Sequence, residues 1–264
     1  MKFYVVSDVH SYFSIMKKAL EEKGFFSDTE PHKLIICGDI MDRGPESKEM
    51  EDFVLDLMKK DQIILIRGNH EDLFLDMTDN FINYKDTILS HRSHHWSNGT
   101  ALTGLDLTGI VDVIEYQNKF DLKCKETEFY KTIIPACKNY YETKNYIFVH
   151  SWIPVKCLDP YPIHYTKHRK FEYNPDWRNA TEKEFEQARW CNPFEMAKQG
   201  LTPDKTIIFG HWHCSTGWAN KEGLSEFDLD SKFDPFYGDK YIGIDACTAY
   251  TKKVNCIILE DDEL

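Results

Sequence analysis

Lys2-Phe3-Tyr4-Val5-Val6-Ser7-Asp8-Val9-His10 opens a chain of 264 residues, and Lys33-Leu34-Ile35-Ile36-Cys37-Gly38-Asp39 repeats its form. Each is a run of consecutive apolar residues that soon gives way to a carboxylate. Unbroken apolar runs of this length mark strands buried on both faces rather than strands with one wet face. Between them Tyr12, Ile15, Met16, Ala19 and Leu20 fall at i, i+3, i+4, i+7 and i+8, the spacing of an amphipathic helix. Met50, Phe53, Val54, Leu57 and Met58 repeat that spacing, and Gln62–Arg67 supplies a third strand. The order is βαβαβ. Right-handed crossovers turn it into a parallel sheet whose strand C-termini share one edge, where ligands of such sheets sit.

Outward from this unit the pattern loosens. Residues 71–145 hold a polar stretch at His91–Trp96, a turn signal at Asn98-Gly99 and mixed helical patches such as Phe129–Tyr141. Strand character returns at Tyr146–His150, Thr206–Phe209, Tyr241–Ile244 and Val254–Leu259, which predicts a second β-layer. The Pro- and aromatic-rich segment between them (Trp152, Tyr161, Tyr165, Phe171, Tyr173, Trp177, Trp190, Phe194) reads more as loop than as element, its rings holding it down by burial. With no repeat, linker or low-complexity tract, the expectation is one α/β domain over residues 1–264, with insertions at about 78–145 and 151–203.

Composition narrows the function. The 32 Lys and Arg against 44 Asp and Glu leave a net charge of −12, which argues against a surface that tracks nucleic-acid phosphates or anionic lipid. No apolar run approaches the roughly 20 residues that span a bilayer. The apolar stretch Phe3–Val6 is shorter than a secretory core of about 7–15 residues, so the chain is read as cytoplasmic. Eight cysteines stand singly (Cys37, Cys124, Cys137, Cys157, Cys191, Cys214, Cys247, Cys256), without a Cys-x-x-Cys pair, and read as reduced, mostly buried thiols.

The chemistry lies at the strand ends. Asp8-Val9-His10 follows the first strand, Gly38-Asp39-Ile40-Met41-Asp42-Arg43-Gly44 the second, and Gly68-Asn69-His70-Glu71 the third; His150 and Gly210-His211-Trp212-His213 end later strands. Carboxylate, imidazole and amide oxygen suit borderline divalent metals, and the lack of thiolate disfavours a soft site. In this order the motifs resemble the calcineurin-like metallophosphoesterases. Asp42-Arg43-Gly44 and His70-Glu71 resemble the phosphoprotein phosphatase branch, which holds bacterial and phage serine/threonine phosphatases and symmetrical diadenosine tetraphosphate hydrolases.

That resemblance implies a two-layer mixed β-sandwich flanked by helices, with two divalent ions, manganese first and iron or zinc as alternatives. Asp8, His10 and His213 would hold one ion, Asn69, His150 and His211 the other, and Asp39 would bridge them. It further implies His70 as general acid oriented by Asp42, and Arg43 as a two-oxygen phosphoryl clamp. The implied reaction is direct hydrolysis of phosphomonoesters, phosphoserine and phosphothreonine proteins foremost, by a hydroxide that bridges the metals. A nucleotide phosphoanhydride hydrolase is the alternative, and a non-catalytic metal-binding scaffold the third reading.

Departures from the family pattern carry expectations of their own. Ser7 and Ser11 stand where many members have glycine, and His150-Ser151-Trp152 replaces His-Gly-Gly, which casts Trp152 as a wall against substrate. Trp190-Cys191-Asn192-Pro193 resembles the family's Leu-Trp-Ser-Asp-Pro stretch. A second phosphate-binding arginine has no motif match, and Arg178 and Arg189 are candidates by composition alone. His91, His94 and His95 suggest a third metal, but their spacing lacks a fourth ligand and the polar stretch reads as a solvated loop. Trp96-Ser97-Asn98-Gly99 fits either a faint family motif or a simple Asn-Gly turn. Lys167-His168-Arg169-Lys170 reads as a solvated charge run, and Glu260-Asp261-Asp262-Glu263 as a frayed acidic tail.

Overall fold

Three short parallel strands carry the first half of the molecule: β1 (Lys2–Val6), β2 (His32–Cys37) and β3 (Ile63–Ile66). A computed structural model describes residues 1–89, 91–111, 119–158 and 169–263. Later come β4 (Tyr141–Glu142), β5 (Tyr146–Phe148), the small antiparallel ribbon β6 (Lys156–Cys157) with β7 (Phe171–Glu172), β8 (Thr206–Phe209), β9 (Phe236–Gly238), β10 (Tyr241–Gly243) and β11 (Ile257–Glu260). One sheet runs β11-β1-β2-β3, with β11 antiparallel to β1. The other runs β4-β5-β8-β10-β9, parallel through β5, β8 and β10 and antiparallel at both margins.

Alternation along each strand explains the layering. Phe3, Val5, Ile35, Cys37, Ile64 and Ile66 point one way and meet Phe148, Ile208 and Ile242 of the second sheet, forming a dry interlayer. Tyr4, Val6, Leu34, Ile36 and Leu65 point the other way into a helical layer. Both faces are therefore buried, and the continuous apolar runs follow from that. The helical layer holds α1 (Phe13–Glu22), α2 (Ser47–Lys59), α3 (Asn69–Asp79), α4 (Phe81–Leu89), α5 (His94–Ser97), α6 (Thr100–Thr108) and α7 (Phe120–Glu126). A π-turn at Phe129–Ile133 then runs into α8 (Ile134–Ala136). Met16 and Leu20 of α1 and Met50, Val54 and Leu57 of α2 are buried, as their spacing predicts.

The expected mixed sandwich flanked by helices is what forms, with local corrections. The helical patch predicted to Tyr141 ends at Ala136, and Tyr141 begins an edge strand. The segment after His150 is less loop-like than predicted, since α9 (Glu182–Ala188) and α10 (Pro193–Lys198) lie within it. Seven and six residues are too few for a helical period to show, but their start signals were legible. Thr181 and Glu184 form a reciprocal capping box, and Asn192 caps a helix that begins with proline. Both helices pack Phe185, Phe194 and Met196 with Trp177 and Trp152 on the outer face of the second sheet. Two further helices, α11 (Cys214–Glu222) and α12 (Thr248–Thr251), follow β8 and β10.

The acidic tail is tied down rather than frayed, because the Asp261 carboxylate accepts from Thr143 Oγ1, Asn145 N and Asn145 Nδ2 at 2.6–2.7 Å. Tyr161, Tyr165, Lys167 and His168 lie outside the described residues. None of the eight cysteines is half of a disulfide. Among the described residues no helix is long and apolar enough to cross a membrane.

Candidate active site at the strand ends

Loops leaving β1, β2, β3, β5 and β8 converge on a cavity of about 150 Å³ lined by Asp8, His10, Asp39, Arg43, Asn69, His70, Asn98, Trp190, His211, His213, Asp245, Cys247 and Thr248. Asp8, His10, Asp39, Asp42, Arg43 and His211 hold φ between 49° and 77°, a region costly for side chains with a Cβ. Such strain persists only where surrounding structure enforces it, and here it aims one polar group after another into one space. Gly38 shows how tight the packing is. Its φ is +80°, and a Cβ there would strike the His150 ring.

Asp39 is the centre. Its Oδ1 accepts from the His70 backbone N–H at 3.1 Å and lies 3.4 Å from His150 Nε2. Its Oδ2 lies 3.7 Å from His10 Nε2 and 3.8 Å from His70 Nε2. Each imidazole is aimed by its far nitrogen. His150 Nδ1 meets Cys37 O at 2.9 Å, and His10 Nδ1 meets Met41 O at 3.1 Å. These contacts leave both Nε2 atoms facing inward, as backbone partners do for metal-ligating histidines. His150 Nε2 also lies 2.8 Å from Asn69 Oδ1 and 3.1 Å from His211 Nδ1.

The Asp42–His70 pair is built as firmly. His70 Nδ1 meets Asp42 Oδ2 at 2.7 Å, and Thr100 Oγ1 and Thr103 Oγ1 donate to the same carboxylate, each at 2.7 Å. Arg43 bridges two rings, with Nη1 3.1 Å from His10 Nε2 and Nη2 3.1 Å from His70 Nε2.

Electrostatics shows what the donor set lacks. Burial, with Asp245 and Asp39 nearby, pushes the Asp8 carboxyl well above its ordinary range. Burial and the Asp39 charge raise Asp245 to about 7. Burial favours a protonated Asp39 too, but the imidazoles of His150, His70, His10 and His211 outweigh it and hold Asp39 low. Burial, and then the neighbouring His150, lowers His211 to about 3, and burial lowers His10 and His150. Imidazole nitrogens spaced 2.8–3.8 Å from amide and carboxylate oxygens, with further buried carboxyls at Asp8 and Asp245, form a site that cations complete. The donor sets His10–Asp39–His70 and Asp39–His150–His211 could each hold an ion.

Not every expected residue sits alike. His213 lines the cavity, but its Nδ1 lies 2.8 Å from Ser215 Oγ and its Nε2 is 3.9 Å from Glu226, so its ring stands outside both donor sets. Arg189 is buried in a network with Asp72, Glu182 and Asn139, and Arg178 binds Glu142 while stacking on Trp177. Neither lines the cavity, because each lies against carboxylates elsewhere. Trp152 is no substrate wall; it is 2% exposed and packs on Phe209 in the outer core. Trp190 lines the cavity instead, its ring centroid 6.1 Å from that of His211.

Four residues that support the site carried no assigned role in the sequence pattern. Glu71 accepts from Gly68 N, Asp39 N and Ile40 N, tying two loops together. Asp245 follows the late strand and faces Asp8, and its position after Tyr241–Ile244 was the available signal. Thr100 and Thr103 gave no local signal. Asn98 lines the cavity, and Gly99, at φ +87°, leaves no room for a Cβ against the Arg43 backbone, so that stretch is both a turn and part of the site.

A cavity lined by strained loops at the ends of parallel strands, with two cation-ready donor sets sharing one carboxylate, defines a metallophosphoesterase centre. The sequence pattern of the calcineurin-like phosphoesterases matches residues 1–215, and the chain belongs to that family. Serine/threonine-protein phosphatase 1 of Salmonella typhimurium is 38% identical over 73 residues, 28% of this chain and 31% of its own length. Symmetrical bis(5'-nucleosyl)-tetraphosphatase of Buchnera aphidicola (subsp. Schizaphis graminum) is 38% identical over 71 residues, 27% of this chain and 24% of its own length. The match thus spans less than a third of either relative.

Among solved structures, the cold-active protein-tyrosine phosphatase of a psychrophilic Shewanella species aligns with 98% of this chain and 75% of its own, at TM-score 0.51 and 16% identity. A candidate diadenosine tetraphosphatase aligns with 98% and 89%, at TM-score 0.50 and 12% identity. At such identities the likeness is one of fold.

Proposed function

We propose that the chain is a two-metal phosphomonoesterase whose substrates are phosphoserine and phosphothreonine side chains of proteins. The observation that carries this reading is Asp39, set between two sets of imidazoles, beside an Asp42–His70 pair pinned by two threonines. Asp8 and His10 are assigned to one ion and Asn69, His150 and His211 to the other, with Asp39 shared. His213, which lines the cavity, is kept as a further ligand of the first ion. Two divalent ions in these donor sets would acidify water and draw charge from the phosphoryl oxygens. Manganese is the ion to load first, with iron and zinc as alternatives. Eight cysteines without a disulfide support a reducing, cytoplasmic setting.

The chain's own groups do the rest. Arg43, already spanning His10 and His70, has a planar fork that fits two phosphoryl oxygens. Asp42 accepts the Nδ1–H of His70, which turns Nε2 toward the leaving oxygen. Burial works against protonation of His70, but Asp39 and Asp42 outweigh it and raise its pKa, suiting it to deliver a proton. An alkoxide leaving group such as serine needs that proton more than a phosphoanhydride does.

Trp190 favours a second reading. It lines both this cavity and an adjoining groove of about 440 Å³, where an aromatic wall could stack on a nucleobase of a dinucleoside polyphosphate. Product analysis with manganese-loaded protein separates the two, using a phosphoserine peptide and diadenosine tetraphosphate in parallel and Asp39→Asn as the blank. The peptide should be preferred by about 100-fold, or about 2.7 kcal/mol in transition-state stabilisation. Symmetrical cleavage to ADP at the higher rate would move the assignment to the nucleotide, and turnover of neither substrate above the blank would leave a scaffold.

A further inference from the structure

A second cluster of metal-ligand side chains stands apart from the catalytic cavity. Asp76, on the third turn of α3, faces His94 and His95 of the single-turn helix α5. The three donor atoms lie within 4.8 Å of one another, with His95 Nε2 3.6 Å and His94 Nε2 4.0 Å from Asp76 Oδ2. Consecutive residues on a helix ordinarily point apart, yet these two rings approach to 3.9 Å between centroids, tilted by 39°.

His95 makes the arrangement demand an explanation. It is fully buried, and neither ring nitrogen has a hydrogen-bond partner. Buried polar atoms are nearly always satisfied, and 3.6 Å is too long for a hydrogen bond to Asp76. Burial, with His94 alongside, lowers the His95 pKa to about 4. The other Asp76 oxygen accepts from Asn80 Nδ2 at 2.9 Å, and the Tyr84 hydroxyl also bonds this carboxylate. Those outer partners fix the carboxylate as they do in metal sites.

We propose that Asp76, His94 and His95 form a further cation site that takes one borderline divalent ion of the zinc class. Two imidazoles and one carboxylate are a hydrolase-type zinc donor set, with a fourth position open to water. Tetrahedral bonds of 2.0–2.1 Å place donors about 3.4 Å apart, so the three donor atoms, within 4.8 Å of one another, draw closer on binding, with the exposed His94 side chain moving most. His94 lines the groove of about 440 Å³, which provides a path for entry. The ion would tie α3 to α5. Asn98 and Thr100, which reach the catalytic cavity and Asp42, follow α5 directly.

Zinc counting by equilibrium dialysis on the full chain tests this, with His94→Ala as the first variant because His94 is half exposed. Wild-type protein should bind one more equivalent than His94→Ala, and Asp76→Asn should lose the same equivalent. Zinc should also raise the melting temperature of the wild type more than that of either variant. Equal equivalents in all three proteins would overturn the proposal. Because the comparison is a difference, a failure of the two-metal reading would lower every total and leave the missing equivalent in place.

Discussion

The Asp39 cluster and the Asp76 cluster are made of the same side chains but are held in different ways. Around Asp39, His10 and His150 are each locked by a backbone carbonyl on the far nitrogen, and His10 and Asp39 themselves are strained into positive φ. Around Asp76 the histidines come from one turn of helix; His95 has no partner on either nitrogen, and His94 and Asp76 are partly exposed. The difference is preorganisation. Rigid outer contacts keep donors in place before a ligand arrives, as a reaction site requires, whereas the Asp76 cluster gains its order from what binds it.

The largest blow to this contrast comes at its centre. Asp39→Asn should lower kcat by about 10³-fold or more, because the carboxylate shared by both donor sets is lost. Metal content measured on the same sample should fall with it, and full activity in the variant would dissolve the centre. His70→Gln should cost about 10²–10³-fold on a phosphoserine peptide and much less on an aryl phosphate, whose leaving group needs little protonation. Equal losses on both substrates would assign His70 to binding instead.

The smallest effect belongs to the second cluster and is read in stability, with chelator present. His95 takes a proton at about 4 in the folded protein and at about 6.5 when unfolded. Unfolded chains therefore bind the extra proton first. His95 costs nothing above pH 6.5, and stability declines as pH falls from there to 4, by up to about 3 kcal/mol. Denaturant midpoints across that range should fall more steeply in the wild type than in His95→Leu. Parallel slopes would mean that the ring is solvated and that the two clusters differ less than their burial suggests.

Sequence alone carried the strands, the layering and most of the residues that converge on the candidate site. Phe3–Val6 and Leu34–Cys37 could be buried on both faces only in a covered parallel sheet, and such sheets present their strand ends together. Asp8, His10, Asp39, Asn69, His70, His150 and His211 were therefore legible from position and chemical type. What tertiary structure decided were partnerships across distance. Thr100 and Thr103 reach Asp42 from 58 and 61 residues away, Asp245 faces Asp8, and Asp76 finds His95 across two helices. Trp152 went to the outer core while Trp190 came to line the cavity, and Arg189 turned to Asp72 rather than to the cavity. Periodicity fixes which way a side chain leaves its own helix or strand, but its partner depends on how the layers pack, which no local pattern encodes.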